Sequence, residues 1–280
     1  MSLSARLTRI LSSVILYGLL IGVSLFMMLP FVWMLSTSLK PADEVFGYPP
    51  IIISPNFSLN AYKYVIEEYG VLRSLLNTFI VATAATALQL FFCSLGGYGF
   101  AKYKFPGQGV LFSLLLATMI VPFVIVMVPL YLIMRDFHWI DTYWPLVIPW
   151  AANAFGIFFL RQYISGISDE LLDAARIDGA SEFGIYRRII FPIIIPGLTS
   201  LGLIIFMTTW NSFLWPLVIL KTPENFTIPL TISSLTGQVG RTVWNEYMAT
   251  AVLSILPLLI IFLAFQRRFV EGITAGAIRG

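Results

Sequence analysis

The chain is 280 residues long, 58% hydrophobic and only 11% charged, with a mean hydropathy of +0.88 and a formal net charge of +3 at pH 7. Soluble domains carry about 25% charged residues, so this chain has too little charge to cover a surface that faces water on all sides. That excludes a soluble globular protein and implies an all-α polytopic membrane protein.

Runs without charge locate the spans. The stretch between Arg9 and Lys40 has no charged residue, and the other long gaps lie between Arg73 and Lys102, Lys104 and Arg135, Asp141 and Arg161, Arg188 and Lys221, and Glu246 and Arg267. A helix crossing the hydrocarbon needs roughly 20 mainly apolar residues, so the gaps predict six transmembrane helices, at about 11–35, 74–100, 110–134, 142–163, 193–219 and 247–266. They form a single transmembrane domain over 1–280, with no interval long enough for a soluble domain.

The first span follows Arg6 and Arg9, but its apolar run is about twice the roughly 7–15 residues of a cleavable signal core. It is read as an uncleaved anchor. The outer loop 36–73 contains Pro49, Pro50 and Pro55, which remove backbone donors and break a helix. Cys93, the one cysteine, falls in the second span and reads as a small buried residue. A short turn, "KYKFPGQG" from Lys102, leads to the third span, and the loop from Arg135 to Asp141 to the fourth. That loop holds Asp136, His138 and Asp141, too slight a group for a catalytic site. A charged segment at 165–192 precedes the fifth span, and the outer loop 220–246, without a helical period, precedes the sixth. Counting Lys and Arg alone, eleven of the 17 fall on the side of the N-terminus and six on the other, which puts both termini in the cytoplasm.

The spans carry no group that would couple them to an energy source. Ion-coupled carriers keep ionisable residues within the membrane, and the six gaps contain none. No GxxxxGK[ST] phosphate loop, HExxH, nucleophile elbow or Cys/His metal cluster is present. The chain is expected to bind no cofactor or metal and to have no catalytic residue, so if it does driven work a partner supplies the energy. An ion-coupled secondary transporter or channel subunit is the alternative.

The segment beginning "DELLDAARIDGASEFGIYRRIIFP" at Asp169 reads as helix, sharp turn, helix. Ser168 is a candidate N-cap, Asp169 and Glu170 suit the positive end of the helix dipole, and Gly179 supplies the positive φ that ends the first helix. A second helix from about Ala180 carries Arg187 and Arg188. Small side chains at Ala174 and Ala175 permit close approach, and Leu171, Leu172, Phe183 and Tyr186 offer apolar docking area. An amphipathic hairpin lying on lipid headgroups is the competing account on physics alone.

"DAARIDGASEFGIYRRIIFP" resembles the EAA loop of permease subunits in binding-protein-dependent ABC importers: Glu-Ala-Ala, three residues, Gly, nine residues, Ile, one residue, Leu-Pro. The matching positions are Asp173, Ala174, Ala175, Gly179, Ile189, Phe191 and Pro192, with Asp173 in place of Glu and Phe191 in place of Leu. "WNSFLWPL" from Trp210, the tail "QRRFVEGITAGAIRG" from Gln266, "SLK" at Ser38 and "LNT" at Leu76 resemble the shorter, six-helix permease of the carbohydrate, maltose-transporter-like branch. The resemblance implies a type I ABC importer permease fold in the inner membrane of a bacterium or archaeon. It implies a second permease subunit as heterodimer partner, two ABC ATPase subunits that hold ATP and Mg, and an extracytoplasmic sugar-binding protein. No nucleic acid is expected among the partners. Asp173, Ala174, Ala175, Gly179, Ile189 and Pro192 would form the ATPase-coupling element, and the tail through Thr274 to Ala277 would reach toward the ATPase interface. The loop 220–246 would enter the binding protein.

Sugars need hydrogen-bonding groups and flat apolar faces in a concave site. Gln89, Asn153, Thr208, Thr209, Asn211 and Ser212, with Trp210 and Trp215 as stacking faces, are the candidate substrate pathway. For each, an interhelical hydrogen bond or an interfacial anchor is the plainer role.

Overall fold

The computed structural model of the chain describes residues 3–49, 51–236 and 243–277, those at 3–10 and 267–277 by backbone alone. Every regular element among them is helical: α1 (Leu3–Ser38), α2 (Asn60–Glu67), α3 (Val71–Lys102), α4 (Gln108–Thr118), α5 (Phe123–Asp136), α6 (Trp144–Val147), α7 (Ala154–Ser165), α8 (Asp169–Ile177), α9 (Glu182–Ile185), α10 (Phe191–Ile193), α11 (Ile195–Trp210), α12 (Leu214–Ile219), α13 (Ile228–Thr236) and α14 (Trp244–Ala277). Hydrocarbon offers backbone groups no partner, so a helix that bonds them internally is the expected spanning form.

Three helical stretches are long and apolar enough to cross a membrane: Leu11–Ser38, Val71–Lys102 and Trp244–Gln266. Two bent pairs bring the number to five, α4 with α5 at 96° and Glu182–Ile193 with α11 at 75°. The interval 142–163, expected as one helix, is instead α6, a 3-10 turn at Ile148–Trp150, a break, and α7. Proline accounts for much of this. Pro122 has no N–H and biases Val121 away from helix; Pro149 sits in the 3-10 turn, and Pro196 in the first turn of α11 just after the Ile194 bend. In the stretch expected at 193–219, α11 ends at Trp210 and α12 restarts at Leu214. The loop at 220–246 also departs from expectation, because α13 occupies part of it; residues 237–242 lie outside the described residues. Beyond Gln266 the backbone continues as helix to Ala277, and the side chains of the tail at 267–280 lie outside the described residues.

The chain divides into two compact units, residues 1–69 with 234–255, and residues 70–233 with 256–280. In the first, Lys40 is buried; its ammonium donates to the Ile51 carbonyl and lies 5.0 Å from the centre of the Trp33 ring. Asn245 Nδ2 donates to the Lys40 carbonyl at 3.0 Å, and the Glu44 carboxylate accepts from Ser54 Oγ and Asn56 Nδ2, each at 2.5 Å. The loop at 36–73 is therefore tied together by side chains, and α2 lies within it.

In the second unit α3 packs on α7 and α11. Glycine makes the α3–α7 approach close: a Cβ on Gly156 would stand 2.7 Å from Cys93 Sγ, and one on Gly97 3.0 Å from the Leu160 Cβ. Small residues let membrane helices approach in this way. Cys93 is fully buried there, as expected, its thiol 3.6 Å from the Asn153 carbonyl. Leu160, Ile164, Leu172, Ile190 and Leu201 form the core at one end of this unit, and Leu146, Trp215, Ile219 and Leu230 a second core.

Candidate functional site

The charged segment folds as helix, turn, helix. Ser168 Oγ accepts from the Glu170 N–H, and Asp169 and Glu170 occupy the first turn of α8. At the other end Gly179 has φ +79°, its N–H bonds the Arg176 carbonyl and the Ala180 N–H bonds the Ala175 carbonyl, both at 3.0 Å. These two bonds make a Schellman cap, which satisfies carbonyls that the helix end leaves open. Ser181 then caps α9, accepting from the Gly184 N–H at 3.2 Å. Arg187 and Arg188 lie in a π turn, Tyr186–Ile190.

A polar chain crosses this hairpin. Arg176 donates to Asp173 Oδ1 at 2.7 Å and to Glu182 Oε1 at 2.8 Å, and Tyr103, just past the end of α3, donates its hydroxyl proton to Glu182 Oε2 at 2.5 Å. The Arg176 guanidinium, followed by the Tyr103 hydroxyl, holds the Glu182 carboxyl below its ordinary value. Lys102, with a buried side chain, donates to the Ile167 carbonyl at 2.5 Å and to Asp169 Oδ1 at 2.6 Å, which holds the Asp169 carboxyl down.

The predicted coupling residues divide by exposure. Asp173, Ala174, Gly179 and Pro192 are exposed, whereas Ala175 and Ile189 pack against the core. Of the four residues expected to offer apolar docking area, Leu171 and Phe183 are exposed; Leu172 and Tyr186 are buried and belong to the protein's own core. The α8 period turns Leu172 inward, a direction that composition does not reveal. Ile177, 87% exposed, joins Leu171 and Phe183 on the outer surface, and the sequence reading missed it.

A second feature is a largely apolar cavity of about 1040 Å³. Three helix breaks meet at it: Met119 and Val121 from the α4–α5 bend, Ala152 and Asn153 from the break before α7, and Ser212 and Phe213 from the break after α11. Gln89, Asn153, Thr208, Thr209, Ser212 and Trp215 line it, which gathers most of the predicted pathway residues. Trp210 and Asn211 are not among its lining residues. Trp210 is 1% exposed and stacks on Phe206, so its ring offers no open face, and the Asn211 amide donates to the Met207 carbonyl at 2.7 Å. Asn153 serves as N-cap of α7, accepting from Gly156 at 2.6 Å, while its amide donates to Gln89 Oε1. Trp215, 3% exposed, donates its indole N–H to the Pro145 carbonyl at 2.9 Å. Irregular backbone at membrane depth is tolerated where it lines a cavity, and these three breaks do so.

Residues 93–275 match the family described as "Binding-protein-dependent transport system inner membrane component". The chain is 36% identical to the arabinooligosaccharides transport system permease protein AraQ of Bacillus subtilis (strain 168), over 92% of each chain. It is 30% identical to the lactose transport system permease protein LacG of Rhizobium radiobacter, over 95% of this chain and 96% of that one. Among solved structures it superposes on a chain of a bacterial ABC transporter involved in the import of the acidic polysaccharide alginate. That match has a TM-score of 0.82 at 25% identity, covering 96% of this chain and 99% of the other. The matched interval includes both the capped hairpin and the breaks that line the cavity, and the chain belongs to the family of binding-protein-dependent transport system inner membrane components.

Proposed function

We propose that this chain is the transmembrane permease subunit of a binding-protein-dependent ABC importer for a sugar or oligosaccharide, forming half of the translocation pathway. The observation that carries the reading is the capped hairpin at 165–192, which presents Leu171, Ile177 and Phe183 to solvent in a chain of this family. Exposed apolar residues on a stiff polar element are a docking surface. Arabinooligosaccharides and lactose in the names of its relatives, and alginate for the structural neighbour, support a carbohydrate as substrate.

In this reading two partner ATPases hold ATP and Mg, and their closure moves the hairpin. Asp173, Ala174, Ala175, Gly179, Ile189 and Pro192 form the coupling element. A second permease supplies the other half of the pathway, and an extracytoplasmic binding protein delivers substrate. Six spans, with the broken interval 142–163 as the fourth and both termini in the cytoplasm, complete the type I arrangement in the inner membrane. The cavity is this chain's share of the pathway, since discontinuous helices commonly build transporter binding sites; Gln89, Asn153, Thr208 and Trp215 stand on its wall, and Trp210 and Asn211 act through the helix end beside it.

The test is purification of tagged chain from native membranes, followed by reconstitution in vesicles. An ATPase subunit and a second permease are expected to co-purify, and uptake of a radiolabelled sugar from its loaded binding protein should require ATP inside. Uptake by the isolated chain on a proton gradient would overturn the reading.

A further inference from the structure

The hairpin follows α7 directly in the chain and shares an apolar core with it through Leu172, Ile185, Leu160 and Ile164; to α3 and α11 it is joined in two further ways. Along the chain it continues through the π turn Tyr186–Ile190 and the bend at Ile194 into α11, two departures from regular helix in succession. Through side chains it is fixed at three separate places to α3 and to Tyr103, the residue that follows it. Lys102 holds Asp169 at the start of α8, Tyr103 holds Glu182 at the start of α9, and Ser94 Oγ lies 2.6 Å from the Tyr186 hydroxyl. The middle attachment continues without a gap through Glu182 and Arg176 to Asp173, the acidic residue of the loop motif.

Three separate attachments resist a rotation that a bent joint alone leaves free. The Lys102 ammonium is also buried, and a buried charge is costly unless it keeps its partners. From Lys102 the helix α3 runs unbroken for 32 residues, roughly 48 Å at ~1.5 Å per residue, and carries Gln89, Val81 and Thr78 on the cavity wall. We infer that movement of the hairpin is delivered to the cavity through α3, with Lys102, Tyr103 and Glu182 as positioning residues that clamp the two together. This rests on the coupling role proposed above for the hairpin.

The clamp can be tested on the purified transporter complex with its ATPase bound, carrying spin labels at Leu76→Cys on α3 and Leu132→Cys on α5, both exposed positions. Cys93 is fully buried and takes no label. In the parent complex, ATP with vanadate is expected to change the distance between the labels. In Tyr103→Phe, which removes one hydroxyl and keeps the ring, and in Lys102→Met, that change should fall by at least half while the ATPase still co-purifies in equal amount. Glu182→Gln reads the same attachment from the hairpin side. A full distance change in all three variants overturns the clamp and leaves the permease reading standing. Absence of any ATPase from the parent complex overturns the permease reading, and the clamp with it.

Discussion

Gly156 has no room for a side chain: a Cβ there would meet Cys93 Sγ at 2.7 Å and Asn153 Oδ1 at 3.2 Å. Overpacking a tight contact costs about 1–3 kcal/mol, so Gly156→Ala should lower the melting temperature in detergent. Cys93→Ala in the same chain should restore part of the loss by removing the nearest atom. Asp141 is a different kind of single-residue fixture. Burial pushes its carboxyl up, but hydrogen bonds from the backbone N–H groups of Lys221 and Thr222 and from the Thr222 hydroxyl outweigh that, and the pKa falls from the ordinary 3.8 to about 2. A carboxyl whose folded pKa is depressed stabilises the fold above its unfolded value and loses that contribution as pH falls through the folded one. Asp141→Asn should therefore melt earlier than the parent at pH 5, and the gap should narrow as pH drops from about 3.8 toward about 2. A gap that stays constant would show that the charge contributes nothing. The sequence displayed Asp141 in a short loop, but its partners are about 80 residues away and no local pattern announces them.

At the scale of elements, the hairpin was legible and the helix breaks were not. Its caps are local: Ser168 and Gly179 sit where backbone within a few residues bonds to them, so composition and spacing suffice to place them, while the start of the second helix, expected at about Ala180, is set two residues later by Ser181. Within this chain a Cβ added to Gly179 would meet nothing within 4 Å, so here its φ of +79° is what restricts substitution. A residue forced into the left-handed region costs roughly 1–2 kcal/mol, and Asn bears it better than most. Gly179→Asn should retain transport in reconstituted vesicles, whereas Gly179→Val should uncouple hydrolysis from transport; equal transport by both would contradict the strain argument. The breaks at 119–122 and 151–153 were hidden because proline is common throughout these spans, and the break at 211–213 holds no proline to mark it. Pro30, Pro129 and Pro257 stand inside continuous helices, while Pro122 and Pro149 stand at breaks. Whether a proline bends or interrupts a membrane helix depends on what satisfies the freed carbonyls, and that is a matter of neighbours.

For the whole molecule, the apolar stretch of α1 decides what surrounds it. Residues such as Leu16, Phe26 and Leu29 are more than half exposed within a chain that has no polar coat there. Lipid or another subunit must cover them, since an aqueous patch of that extent drives association. Both ends of the chain are predicted to lie in the cytoplasm. Alkaline phosphatase fused after Gly280 should be inactive and a cytoplasmic reporter at the same place active, and the reverse result would invert the topology.

The sequence by itself determined membrane residence, the approximate positions of the apolar stretches and the capped hairpin with its motif. Each rests on composition or on hydrogen bonds between near neighbours. Tertiary structure alone decided that three interrupted helices meet at one cavity, that Leu172 and Tyr186 turn inward while Ile177 turns out, and that Tyr103 and Lys102 grip the hairpin. Those outcomes depend on which side chains come together across long separations in the chain, and hydropathy, being a property of each position alone, carries no record of it.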